Sequence, residues 1–118
     1  MMIKLFLVFL GGGVGSVIRY AITIGFTKLS LFSFPWATFI SNFLSCIVMV
    51  MVLRLDRVGY ISDPWRGMLL IGVLGGLSTF STFSYETALL MKEGHLAMAL
   101  SNVGLSVVVC VICIYKLT

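Results

Sequence analysis

A chain of 118 residues that is 60% hydrophobic and 10% charged, with a mean hydropathy of +1.16, lacks the polar surface of a water-soluble domain. Its net charge of +4 rests on eight Lys and Arg that never cluster, so it reads as helix-end cations meeting anionic headgroups and excludes a nucleic-acid surface. Four spans of about twenty residues use most of the length, which leaves no room for a catalytic domain outside a bilayer.

The first span is expected over about 3–26. Lys4 followed by Leu5 to Leu10 is reminiscent of a leader peptide, but apolar character continues past the glycines at 11 to 13 as far as Phe26. Gly11 and Gly15 form a small-xxx-small face that lets another helix approach closely. Arg19 is the anomaly: it either snorkels to the interface or lines an anion-attracting vestibule. Thr27 to Phe34 reads as a short loop, Pro35 as part of a first helical turn and Trp36 as an interfacial anchor.

The second span, about 36–53, carries no charge. Its polar residues Thr38, Ser41, Asn42 and Ser45 fall on one narrow face at 100° per residue. Such a stripe either glues helices together or lines a pore, where Asn42 offers two amide donors to an anion. Arg54 to Trp65 reads as a polar loop in which Asp63 caps the next helix and Pro64 takes its first position.

The third span, about 65–91, holds the chemistry. Five of the seven residues from Ser78 to Ser84 are Ser or Thr, the other two are Phe80 and Phe83, and Gly75-Gly76 comes just before. No charged side chain occurs from Gly67 through Tyr85, so the stretch still crosses the membrane. Loosened backbone is tolerable there only beside protein or a water-filled cavity, which predicts a broken helix lining a pore. Gly75 and Gly76 are expected to hold a conformation that Ala cannot. Phe80 and Phe83 lie one turn apart, with Thr79, Thr82 and Glu86 on a neighbouring face. Glu86 is either a boundary residue or the carboxylate of an ion path.

Lys92 to His95 form a tight connection to a fourth span, about 96–115, in which Asn102, Ser106 and Cys110 share a face at intervals of four. Cys46, Cys110 and Cys113 lie in apolar runs and are expected as free thiols, since the C-x-x-C has no His, carboxylate or second pair beside it. The reading is therefore an all-α integral membrane protein, one domain over 1–118, with both termini on one side. Lys4, Arg54, Arg57, Arg66 and Lys116 lie on that side and Arg19, Lys28 and Lys92 on the other, a weak bias of five to three.

Gly11-Gly-Gly-Val-Gly-Ser-Val-Ile-Arg19-Tyr20, Thr38-Phe-Ile-Ser-Asn42 and Gly75-Gly-Leu-Ser-Thr-Phe80-Ser-Thr-Phe83-Ser together resemble the small fluoride channels of the Fluc (CrcB) family over nearly the whole chain. The resemblance implies an antiparallel dimer of identical or paralogous chains in the bacterial plasma membrane, with two pores that export fluoride and lower its cytoplasmic level. It implies ring-edge contacts to fluoride from Phe80 and Phe83 and a pore amide from Asn42. A hydroxyl-and-carboxylate track of Ser81, Thr82 and Glu86 would continue the path, and Thr79, Asn102 and Ser106 are candidates beside it. Arg19 and Thr38 match vestibule positions. A structural sodium ion would be held by main-chain carbonyls of Gly75 and Ser78. The chain departs from the common pattern at Ala37, Ser41, Ser45 and Cys46, and at Asn102 and Cys110, where Tyr and a hydroxyl are common.

The rival readings are a small four-helix multidrug exporter and a non-transporting interaction subunit. The exporter needs an acid embedded in its first span, and the first two spans contain no Asp or Glu. No enzyme is expected, because no nucleophile, base and acid can be assembled from so few polar groups.

Overall fold

The computed structural model describes residues 1–28 and 34–118, and among them every regular element is helical. Helix α1 is Met2–Lys28 and α2 is Trp36–Arg57. The third span divides into α3 over 63–77, wound as a π-helix at Met68–Val73, and α4 at Ser81–Lys92. Helix α5 is Leu96–Leu117. Four segments, Met2–Lys28, Trp36–Arg57, Asp63–Lys92 and Leu96–Leu117, are long and apolar enough to cross a membrane, so this is a multi-pass membrane protein. The loop expected from Thr27 to Phe34 falls mostly outside the described residues, and Pro35 precedes the first residue of α2.

Helix ends extend further than hydropathy alone suggests. Arg54 and Arg57 sit in the last turn of α2, where cations meet the negative helix end, so the expected loop from Arg54 is helical as far as Arg57. Gly59, at φ +79°, closes that helix: its N–H donates to Asp56 O and that of Tyr60 to Leu55 O. Gly94, at φ +85°, closes α4 in the same way, with Gly94 N–H on Met91 O and His95 N–H on Leu90 O. Asp63 is no cap. Ser62 precedes the helix, and the Asp63 carboxylate instead pairs with Lys4 at 2.5 Å and Arg66 at 2.7 Å. Arg66 also reaches Asp56 at 3.2 Å, so opposite charges at the membrane edge outcompete the helix end for this carboxylate.

The close approach expected of Gly11 and Gly15 is present. Both are buried against α3, where an added Cβ would lie 2.5 Å from Met68 O at Gly11 and 2.1 Å from Val73 O at Gly15. The opposite face answers in kind, since a Cβ on Gly72 would meet Val8 O at 2.8 Å and one on Gly76 would meet Gly12 O at 2.4 Å. Helices α1 and α3 thus touch backbone to backbone.

Candidate functional site

The break falls at Ser78, Thr79 and Phe80, just past the glycine pair, which is itself helical. Ser78 turns the chain out of the helix with an extended backbone, φ −81° and ψ 155°. Gly75 and Gly76 do not have the positive φ that only glycine tolerates. The expectation of a special conformation there is corrected: Gly76 is needed for the contact with α1, while a Cβ on Gly75 meets nothing within 4 Å.

Asn42 holds the break open. The Thr79 N–H donates to Asn42 Oδ1 at 2.8 Å, and Asn42 Nδ2 donates to Thr79 O at 3.3 Å. One turn on, the Thr82 N–H donates to Thr79 Oγ1 at 3.2 Å, which caps α4. In a continuous helix those two N–H groups would bond the carbonyls of Gly75 and Ser78. Both carbonyls are therefore left without a donor among the described residues, and so are the N–H groups of Phe80, Ser81 and Phe83 in the first turn of α4. A partly negative helix end and a partly positive one, each about half a charge, face the same gap.

Two neutral carbonyl oxygens are hard donors of the kind a hard cation such as sodium takes. Of the two carbonyls between Gly75 and Ser78 in the chain, that of Gly76 is already engaged, because Arg19 Nε donates to it at 2.9 Å. Arg19 is half-buried and reaches the break through this contact. Ser78 spends its own hydroxyl on Leu74 O at 2.7 Å.

Phe80 and Phe83 come together with ring centroids 5.9 Å apart and planes tilted by 36°, and Phe80 is 78% exposed in the single chain. They form one end of a groove of about 400 Å³, whose lining includes Asn42, Thr79, Ser78 and Ser106. Most of its wall is apolar, so the few polar groups it holds face little competition from water.

The remaining candidates lie outside this groove. The Thr38 hydroxyl donates to Glu86 Oε1, joining the start of α2 to α4, with the carboxylate half-buried. Asn102 is fully buried between α4 and α5: its Nδ2 donates to Thr87 Oγ1 at 2.9 Å, and Ser106 Oγ donates to its Oδ1 at 3.4 Å. Thr87 in turn donates to Phe83 O at 2.8 Å. Ser81 is exposed and Thr82 half-buried. Ser41, in the stripe of α2, is fully buried and its hydroxyl has no partner among the described residues. Thr87 escaped sequence reasoning, although its place four residues after Phe83 signals a hydroxyl aimed at that carbonyl.

A family model described as CrcB-like protein, Camphor Resistance (CrcB), matches residues 6–116. The chain belongs to the CrcB family. Among its relatives, this CrcB chain is 40% identical over 114 residues to a protein of Shewanella denitrificans called fluoride-specific ion channel FluC, covering 97% of the chain and 92% of the relative. A FluC of Phocaeicola vulgatus is 46% identical over 91 residues, covering 77% and 75%. One of Shewanella pealeana is 39% identical over 106 residues, covering 90% and 86%. These CrcB relatives carry the name of a channel and not of an enzyme, and the chain is accordingly no enzyme.

Proposed function

We propose that this CrcB chain is a fluoride-selective channel of the bacterial plasma membrane that lets the anion leave the cytoplasm. The observation that carries the reading is the break at 78–80: Asn42 diverts backbone hydrogen bonds so that free N–H groups open α4 beside Phe80 and Phe83. Bare fluoride is small and strongly hydrated, so low dielectric admits it only where donors replace its water. The second amide proton of Asn42, the positive ring edges of Phe80 and Phe83 and the dipole of α4 are such donors. Thr38, Ser81, Thr82 and Glu86 continue the path toward one end, Thr79, Asn102 and Ser106 flank it, and Arg19 attracts anions at its mouth. With the cell interior negative, each 100 mV drives one anionic charge outward by about 2.3 kcal/mol.

Two copies inserted in opposite directions would complete two such paths. Three features support this: the openness of the groove in one chain, the 78% exposure of Phe80, and the five-to-three split of basic residues, which gives little preference for either orientation. A structural sodium ion held at the dimer centre by the carbonyls of Gly75 and Ser78 would supply a fixed positive charge close to the anion path.

The decisive experiment is fluoride efflux from liposomes holding only this chain. Fluoride is expected to leave rapidly and chloride far more slowly. Equal passage of the two anions would overturn the reading.

A further inference from the structure

In the sequence the conspicuous thiols are Cys110 and Cys113, three residues apart on α5. The pair that meets in space is a different one. Cys46 of α2 and Cys110 of α5 come together in the lining of the groove, one turn beyond Asn42 and Ser106. Cys113 is a free thiol outside that lining.

We propose that Cys46 and Cys110 form a two-coordinate site for a soft d10 cation of the Cu(I), Ag(I) or Hg(II) class, and that its occupancy closes the groove. Thiolates select soft ions, and ions of this class accept two sulfurs in line. Among the described residues no group of three or more His, Cys, Asp or Glu side chains could hold a metal, which leaves two-coordination and removes a tetrahedral zinc site. Until such an ion arrives, each thiol is a small hydrophobe in an apolar wall. Capture of a mercuric ion forms two Hg–S bonds and breaks two S–H bonds, releasing two protons and leaving no net charge in the membrane. The site itself rests on the sulfur pair alone; its effect on flux rests on the fluoride reading above.

The test begins with the purified full chain, titrated with mercuric chloride while free thiols are counted and Hg–thiolate absorbance is followed. One ion per chain is expected to consume two of the three thiols. Cys113→Ser should still bind one ion at the same concentration. Cys46→Ser and Cys110→Ser should each need at least tenfold more, with the Ala variants taking their place if Ser disturbs folding. In liposomes the same ion should halt efflux through the parent and Cys113→Ser, and the other two variants, each judged against its own unblocked rate, should resist. Tight binding that survives Cys46→Ser but is lost in Cys113→Ser would move the site to the C-x-x-C and overturn the proposal. Capture of two thiols with undiminished efflux would overturn closure. If the untreated protein passes no fluoride, the channel reading falls while the thiol count still decides the site.

Discussion

The broken third span leans on two walls built by opposite rules. Against α1 the contact is backbone on backbone, with glycines at 11, 15, 72 and 76 and no space for a methyl group. Against α2 and α5 the contact runs through side-chain hydrogen bonds from Thr38, Asn42 and Asn102, and a groove of about 400 Å³ remains. A bilayer offers no hydrophobic drive for helix association, so the first wall relies on close dispersion contact, which fixes α3 and hence where the break must fall. The second wall decides what the break presents. Changes on the α1 side should therefore cost the fold, and changes on the groove side should cost conduction.

The largest effect is expected from Gly15→Ala and Gly76→Ala. Each new methyl would sit within 2.4 Å of a carbonyl oxygen, and helix backbone cannot move aside as a side-chain tip can. Overpacking of cores costs about 1–3 kcal/mol and more where backbone must shift. Neither variant should elute as a single folded species after extraction. Gly104→Ala, whose Cβ meets nothing within 4 Å, should match the parent. Parental thermal stability in Gly15→Ala would show that the α1 wall is pliable and erase the contrast.

Next come Phe80→Ile and Phe83→Ile on the groove side. An aliphatic side chain of similar bulk keeps the packing but loses the positive ring edge. Elution should be unchanged, while efflux falls on the order of a hundredfold, each tenfold being about 1.4 kcal/mol. Asn42→Asp should stop efflux and also lower stability by roughly 1–3 kcal/mol, because Thr79 O loses its donor and a carboxylate occupies the gap. Normal flux through both Ile variants would make the rings mere packing.

Much of this was legible in the sequence because membrane spans announce themselves by length and by the absence of charge. Asn42, Phe80 and Phe83 could be singled out because amide and aromatic groups beside a run of hydroxyls are rare in such a segment. What could not be read was which group takes which hydrogen bond. Asp63 looks like a cap in sequence, but Lys4 lies 59 residues away in the chain and binds it in space. The glycine pair at 75 and 76 looks like the break itself, yet the break depends on Asn42, 37 residues from Thr79. Cys46 and Cys110 likewise meet only through the packing of α2 on α5. Periodicity reports a residue's face and is silent on the partner opposite.

The smallest effect expected, and the finest test of the groove-side rule, concerns Thr38. Its hydroxyl donates to Glu86, so Thr38→Val removes one donor from a half-buried carboxylate while keeping the side chain's shape. A hydrogen bond to a charged group contributes about 1.5–3 kcal/mol, and partial exposure of the carboxylate places this one at the lower end. If Glu86 belongs to the ion path, its freed oxygen repels the anion more strongly, and efflux should drop a few-fold, up to about tenfold. Thr38→Ser keeps the donor and loses only a methyl, so it should conduct like the parent. A packing role predicts the opposite order, with Val harmless and Ser impaired, because the methyl of Thr38 would then be the part that matters. Efflux rates of the two variants, measured in the same liposomes, decide between the carboxylate as a partner of Thr38 in conduction and Thr38 as filler between α2 and α4.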